Sequence, residues 1–398
     1  MQLVERHIIR RIHKHWQEID GLAFLSKNLY NAANYICRQH FFETGNIYSL
    51  PSLYQLIKNS PDYRALPTKV SKQIIKRLAS TWVGYKNAHK EWTRHPEKFL
   101  GEPKIPKYKH KTQGRNTVIY HHESVYKKPL KQGICHLSMS GIQIPTKVNK
   151  IVEVRLVPQS NCYVIEIVYQ KDEPECTNNN LIAGLDLGLS NLVALSSNKK
   201  DFRPILINGR PLKSINQFYN KCRAKLQRLL PKEQKTSHRI RAITAKRNRY
   251  VENYLHQVSS KVVSVLNKNN IKTLVIGKND NWKQCINIGR RNNQQFTQIP
   301  HAKLIDKLRY KCQLAGIQVI VTEESYTSKT SALDLEEPIK QSAYKGKRVK
   351  RGLFKSAEGI LINADINGSA QIIRKVFPNA FANGIERLAV SPLMVNPL

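Results

Sequence analysis

Carboxylates follow or end three separate apolar stretches of the C-terminal half. Asp186 ends the run LIAGLD, Glu323 and Glu324 follow IQVIVT, and Asp365 stands early in LINADINGSAQIIRKVF. Carboxylate oxygens are the ligands that hard cations prefer in proteins. Taken alone, either aspartate would ordinarily be interpreted as a helix cap or as a turn residue. The three positions therefore become informative only together.

The segments that carry these carboxylates predict an α/β layer built on a mixed sheet. LIAGLDLGLSNLVALSS predicts a buried hairpin with Asp186 on its first strand. Two further strands are predicted over 271–277 and 317–325, with a helix over 301–316 between them. Strand, helix and strand in that order predict a right-handed parallel crossover. Asp365 then begins a last amphipathic helix.

Between the hairpin and the later strands lies a strongly basic helical pattern. Residues 211–250 contain twelve Lys and Arg but a single acidic residue, Glu233. A solvated helix face is the ordinary explanation of a charged run, but this imbalance favours contact with nucleic-acid phosphates. The candidate contacts here are Arg223, Lys225, Arg239, Arg241, Lys246 and Arg247.

The N-terminal half changes character twice. A short strand over the first ten residues precedes amphipathic helical patterns, and a segment rich in Pro, Gly and Lys (96–116) marks a boundary before alternating β-type segments. An antiparallel barrel or sandwich is expected, joined by the first strand, so that the helices are an insertion. The predicted domains are 1–14 with 96–178, then 15–95, then 179–398.

Composition restricts the partners. The chain has 66 Lys and Arg against 28 Asp and Glu, a formal net charge of +38 over 398 residues, and both halves are basic. Such a surface favours a polyanion. We find no apolar run long enough to span a membrane and no leader at Met1. We therefore expect no membrane partner and a cytoplasmic, prokaryotic protein that is associated with the nucleoid when it is bound to DNA.

The seven cysteines are scattered along the chain, which predicts reduced thiols, and no zinc is expected.

In this order, the motifs resemble a known family. GLDLGLSNLVAL, the basic helical hairpin, LVIGKND, VTEESYTSK and NADINGSAQI are similar to the split RuvC-type nuclease of TnpB and the type V CRISPR effectors. NLYNAAN and GEPKIPKYKHK resemble its N-terminal parts. The resemblance implies a multidomain α+β fold with a wedge β-barrel (1–14 and 96–178), a helical recognition domain (15–95) and an α/β RNase H-like nuclease domain (179–398).

The resemblance also implies an activity and a site. RNase H-like nucleases hold two Mg²⁺ ions on carboxylates from separate elements, one ion activating water and the other stabilising the leaving oxygen. Asp186 and Asp365 match the first and last of these carboxylates. Mg²⁺ is expected, and Mn²⁺ is the alternative.

The second carboxylate departs from the usual pattern. The family's glutamate commonly ends the strand that here reads LVIGKND, where Gly277 stands instead. Some relatives, including the eukaryotic Fanzor proteins, carry this glutamate just before the YTSK segment. Glu324 matches that relocated position better than Glu323, and strand alternation would place the two on opposite faces. If neither glutamate reaches the metals, the nuclease is inactive.

A second departure lies within residues 327–364, where the family usually has a four-Cys zinc ribbon. These residues contain no Cys and carry instead an acidic cluster (Asp334, Glu336 and Glu337) and the basic run YKGKRVKRGLFK (344–355). That run either replaces the contact of the ribbon with nucleic acid or is a mobile loop near the active site. Lys347 and Arg348 in this run, with Lys107 and Lys109 in the N-terminal half, complete the candidate nucleic-acid contacts.

The implied partners are a guide RNA from the transposon end and double-stranded target DNA with a short flanking motif. In such complexes the protein reads shape and backbone, while base pairing reads sequence. The alternative function is a nuclease-inactive, RNA-guided DNA-binding repressor. An RNA-binding or architectural protein that borrows the fold, and a transposase proper, are further alternatives that fit the ordered carboxylates less well.

Overall fold

The chain forms two compact units, Met1–Asp172 and Glu173–Leu398. The structure, a computed structural model, describes residues 1–176, 179–279, 289–381 and 391–397. Each unit has its own hydrophobic core. No helix in these described ranges is both long enough and apolar enough to cross a membrane.

The first unit is built on an antiparallel sheet with strand order β1-β6-β5-β2. β1 pairs with β6 from Gln2 opposite Gln170 to Ile9 opposite Tyr163, which confirms that the first strand joins this sheet. A second, two-stranded sheet is formed by β3 and β4. The strands of this unit are β1 (Gln2–Ile9), β2 (Val118–His121), β3 (Ile134–His136), β4 (Gln143–Pro145), β5 (Ile151–Pro158) and β6 (Tyr163–Gln170).

The helices between β1 and β2 pack on one another through apolar faces. Trp82 is fully buried and donates its indole N–H to Asn34 Oδ1 at 3.0 Å, which joins the two longest helices of the unit. The first of these helices ends at Gly45, whose φ of +68° suits a residue without a side chain. The helices of this unit are α1 (Trp16–Thr44), α2 (Leu50–Ile57), α3 (Pro61–Arg64), α4 (Thr68–Arg94) and α5 (Lys127–Lys131).

The predicted β-barrel is not confirmed. Across residues 1–172, all of which the structure describes, the strands pair as one four-stranded and one two-stranded sheet, without a pairing that closes a barrel. The assignment of wedge and recognition domains within this unit stays a prediction.

The second unit is built on a mixed sheet with strand order β11-β10-β7-β8-β9-β15. β7, β8 and β9 pair antiparallel, whereas β10 pairs parallel with both β7 and β11. The parallel crossover is therefore confirmed. The strands of this sheet are β7 (Ile182–Leu187), β8 (Asn191–Ser197), β9 (Ile205–Asn208), β10 (Thr273–Gly277), β11 (Gln318–Thr322) and β15 (Leu393–Val395).

Helices cover both faces of this sheet. Tyr254 and Leu255 on one face pack with apolar side chains of the strands, and Ile366 and Ile373 do so on the other. A Cβ at Gly184 of β7 would lie 2.1 Å from the carbonyl oxygen of Ser369, so this glycine permits close approach of the last helix. The helices are α6 (Arg210–Arg228), α7 (His238–Lys268), α8 (Arg290–Gln298), α9 (His301–Gln313) and α10 (Ala364–Val376).

Residues 327–364 contain a small antiparallel sheet of β12 (Lys347–Lys350), β13 (Leu353–Lys355) and β14 (Leu361–Asn363). Phe354 and Ile362 from this sheet are buried in one cluster with apolar residues of α10. The basic run 344–355 therefore includes two paired strands rather than a wholly irregular loop.

Candidate functional site

Asp186 is the fifth residue of β7 and pairs with Ala194 of β8. It therefore neither caps a helix nor forms a turn, the two ordinary roles that its type suggests. A Cβ placed on Gly368 in the first turns of α10 would lie 3.1 Å from Asp186 Oδ2. The carboxylate thus faces the N-terminal end of α10, where Asp365 stands.

Asp365 is released from capping because Asn363 caps α10. The Asn363 side-chain oxygen accepts hydrogen bonds from the backbone N–H groups of Asp365 at 3.0 Å and Ile366 at 3.2 Å. Asp365 Oδ2 instead accepts a hydrogen bond from Asn191 Nδ2 at 2.7 Å. Arg348 lies 3.9 Å from the other carboxylate oxygen, so both oxygens of Asp365 have polar neighbours.

The two adjacent glutamates point to different surroundings. Glu324 is half-buried, and its charge is close enough to raise the pKa of Asp186. Glu323 is exposed and pairs with Lys375 at 3.4 Å. β11 ends at Thr322, so the prediction of a strand to 325 was wrong and strand alternation does not explain the difference. Of the two glutamates, the structure brings Glu324 to Asp186.

The electrostatics of the site favour a cation. Burial, then the charges of Glu324 and Asp365, raise the pKa of Asp186 to about 8. Burial, then the charge of Glu323, raises the pKa of Glu324 to about 7. Whichever of the two carboxyls ionises second must do so beside a charge already present. A multivalent cation would relieve this repulsion, so a hard oxygen donor set of this kind fits Mg²⁺.

A second group of possible metal ligands lies in the first unit. In the described part of the chain, the group of three possible ligands with all ligand atoms within 4.8 Å is His121, His122 and Glu123 of the first unit. There, Glu123 already pairs with Lys69 at 2.8 Å.

The Cys-less segment 327–364 is organised by polar side chains. The buried Glu336 carboxylate accepts hydrogen bonds from the backbone N–H groups of Ser331 at 2.8 Å and Lys345 at 3.1 Å. The side chain of Asn367 accepts from the Ala332 N–H and donates to the Thr330 carbonyl. Glu336, which the sequence placed in an acidic cluster, therefore holds the loop together.

The basic candidates divide into exposed and internal residues. On α6 and α7 the exposed ones are Arg223, Lys225, Arg239, Arg241 and Lys246, and elsewhere they are Lys107, Lys109, Lys347 and Arg348. Arg247 differs because its guanidinium donates to Asn216 Oδ1 at 2.7 Å and to the Gln298 carbonyl at 2.9 Å. Its position supports a role in packing rather than in phosphate contact.

Sequence reasoning missed three asparagines of this site, Asn191, Asn279 and Asn363. Asn363 carried a usable signal, since Asn just before a helical pattern predicts an N-cap. Asn191 and Asn279 carried none, because their partners Asp365 and Glu324 lie 174 and 45 residues away.

Of the seven cysteines, which the sequence predicts to be reduced thiols, Cys285 lies outside the described residues.

Two segments of the chain match known family models. Residues 164–283 match the OrfB_IS605 family model, described as a probable transposase. Residues 301–372 match the model of the Cas12f1-like TNB domain. The two matched segments together cover fewer than half of the 398 residues. The two matches include Asp186, Glu324 and Asp365, so the candidate site lies within the parts of the chain that carry the family likeness. No curated protein matches the chain.

Solved structures similar to this chain include a complex with RNA and DNA. The Cas12f1-sgRNA-target DNA complex is 14% identical, with 93% of this chain and 98% of that chain covered and a TM-score of 0.38. The mini-RNA-guided endonuclease CRISPR-Cas_phi3 is 10% identical, with 94% and 92% covered and a TM-score of 0.44.

Proposed function

We propose that the chain is an RNA-guided DNA endonuclease of a transposon, which cuts target DNA beside a short flanking motif by two-metal-ion hydrolysis. The observation that carries the proposal is the approach of Glu324 and Asp365 to Asp186, where burial, then the charges of these two carboxylates, raises the pKa of Asp186 to about 8. Three carboxylates from three separate elements are the donor set that an RNase H-like nuclease needs. The mixed sheet with helices on both faces supports the same domain type.

Asp186, Glu324 and Asp365 would hold Mg²⁺, with Mn²⁺ as the alternative. Bound there, the ions would supply an activated water and stabilise the leaving oxygen of the phosphodiester. Asn191 orients the Asp365 carboxylate through its 2.7 Å hydrogen bond. Arg348, exposed and 3.9 Å from Asp365, is suited to contact a phosphate that approaches the site.

The partners are a guide RNA from the transposon end and a double-stranded DNA target. The formal net charge of +38 and the exposed arginines and lysines of α6 and α7 support binding of two polyanions. The chain would hold the guide by its backbone, and base pairing would select the target.

The test is cleavage of a plasmid library that carries one target flanked by randomised bases. The full chain is co-expressed with RNA transcribed from the adjoining transposon end, and Asp186→Ala, Glu324→Gln and Glu323→Gln are compared with the unaltered protein. We expect Mg²⁺-dependent cutting, slowed by at least about 100-fold in the first two variants, since even outer-shell partners of metal ligands contribute 10–100-fold. Glu323→Gln is the matched control and should cut normally.

Target binding without cutting by the unaltered protein would overturn the nuclease in favour of an RNA-guided repressor. Equal loss in Glu323→Gln and Glu324→Gln would contradict the assignment of Glu324 to the site. RNA binding without any target selection would indicate an RNA-binding protein of another kind.

A further inference from the structure

A side chain at Gly277, the last residue of β10, would displace the side chains beside it. A Cβ placed there would lie 3.0 Å from Glu324 Oε2 and 2.5 Å from Ile372 Cδ1. The first distance is at the limit of real Cβ contacts, and the second is below it. The space beside this strand end is therefore taken by a carboxylate that arrives from the neighbouring parallel strand.

Asn279, two residues beyond Gly277, forms two hydrogen bonds with Glu324. Asn279 Oδ1 accepts the backbone N–H of Glu324 at 2.9 Å, and Asn279 Nδ2 donates to Glu324 Oε1 at 3.4 Å. A backbone N–H can only donate, so the amide oxygen must face it and the amide NH₂ must face the carboxylate. The orientation of Asn279 is thus fixed by the group that it holds.

The other side of Glu324 is held as well. Thr327 Oγ1 donates to the Glu324 carbonyl at 2.8 Å. Lys375 Nζ of α10 donates to the Ser325 carbonyl at 2.9 Å. Tyr326, which lies between Ser325 and Thr327, has a φ of +67°, an unfavourable conformation for a residue with a side chain. The turn at Tyr326 therefore depends on the surrounding hydrogen bonds.

We propose that Asn279 is a positioning residue that fixes the Glu324 carboxylate for metal binding, in the space that Gly277 leaves open. Its hydrogen bond engages Oε1, while Oε2 lies beside Gly277. Without it, a glutamate with three rotatable side-chain bonds would have to be ordered by the cation itself. The inference rests on the proposed nuclease function, and it explains how a glutamate after β11 can act where β10 ends in glycine.

The test compares Asn279→Ala with Asn198→Ala in the full-length protein. Asn198 is a matched control because its amide makes the same kind of double contact, accepting the Ile182 N–H at 2.7 Å and donating to the Asn180 carbonyl at 2.9 Å. Two quantities are measured: the Mn²⁺ dissociation constant, by electron paramagnetic resonance on RNA-free protein, and the Mg²⁺ concentration for half-maximal cleavage with guide RNA. Gly277→Ala is added as a second variant.

We expect Asn279→Ala to raise both metal constants by about 10-fold or more, as outer-shell partners do, with most of the cleavage rate recovered at saturating Mg²⁺. Gly277→Ala should shift both constants in the same direction, because its methyl group displaces the carboxylate. Asn198→Ala should lower the melting temperature and leave both constants unchanged.

Unchanged metal constants in Asn279→Ala, beside an active unaltered protein, would overturn the positioning role and leave the nuclease intact. An unaltered protein that neither binds Mn²⁺ nor cuts would overturn the proposed function, and this inference with it.

Discussion

At the scale of single residues, the carboxylates of the site repel one another when they are ionised. Glu324 and Asp365 raise the pKa of Asp186, while Arg348 and the Leu187 N–H lower it. The raising influences win, because the carboxyl is removed from water and Arg348 is half-exposed. The metal-free protein therefore retains a proton at Asp186 near neutral pH, which a metal ion must displace.

This proton predicts how stability depends on pH. The pKa of Asp186 rises from 3.8 to about 8 on folding, so between these values the folded state holds a proton that the unfolded state has released. Without metal, this group's contribution to stability is present at low pH and is lost as pH rises toward 8. Asp186→Asn should remove that loss, so its melting temperature should exceed that of the unaltered protein increasingly from pH 5 to pH 8.

Thermal melts in a chelator, followed by melts in Mg²⁺, measure both sides of this linkage. Mg²⁺ should raise the melting temperature of the unaltered protein more at pH 8 than at pH 6, because it binds the ionised carboxylate. It should have much less effect on Asp186→Asn. The exposed Asp306→Asn is the control, and the same pH trend there would contradict the assignment to Asp186.

At the scale of elements, residues 327–364 show how a segment without zinc ligands can still be ordered. Backbone N–H groups of the segment donate hydrogen bonds to the Glu336 carboxylate. The carbonyl of Glu336 in turn accepts a hydrogen bond at 2.8 Å from Nε2 of Gln371, which lies on α10. Since α10 also carries Asp365 in its first turn, the segment and the site are both supported by this helix. A defect in the segment would reach the carboxylates through this helix.

Glu336→Gln tests this support. Both carboxylate oxygens accept backbone N–H groups, from Ser331 and Lys345. The amide NH₂ of glutamine would face one of these donors, leaving a buried N–H unsatisfied at a cost of about 1–3 kcal/mol. We expect a lower melting temperature and faster limited proteolysis within 337–351, read by mass spectrometry. The exposed Glu337→Gln should change neither, and equal effects of the two variants would contradict this role.

At the scale of the whole molecule, the positive charge is spread over both units rather than gathered in a tail. Residues 1–180 carry 28 Lys and Arg against 14 Asp and Glu, and the remainder carry 38 against 14. Exposed basic side chains on α6 and α7 make the second unit the more basic. Binding of nucleic acid should therefore depend steeply on salt.

The double variant Arg223→Ala/Lys225→Ala tests the basic helices. If both residues contact single-stranded phosphates, the slope of log K against log salt should become shallower by about 1.4. Filter binding of guide RNA across a salt series measures it. Arg247→Lys keeps its charge but loses the forked hydrogen bonds, so it should lower the melting temperature and leave the slope unchanged. An unchanged slope in the double variant would exclude these two residues from the RNA contact.

The sequence by itself determined the features that local patterns encode. Charge balance indicated polyanionic partners, alternation predicted the strands, and the order of Asp186, the glutamate pair and Asp365 on separate elements indicated a shared site. The join of β1 to the sheet was also predictable, because an isolated strand must pair somewhere. These features depend on composition and on neighbours within a few residues.

Only the tertiary structure decided how the site is assembled. The structure shows that Glu324 rather than Glu323 faces Asp186, and that Asn279 holds Glu324. It also shows that Asn363 rather than Asp365 caps α10. These features depend on where β11 ends and on which distant segments of the chain lie beside it. Such contacts join residues far apart in the chain, and no local periodicity encodes them. A polar side chain acquires its role from the groups it faces, and the fold supplies those groups.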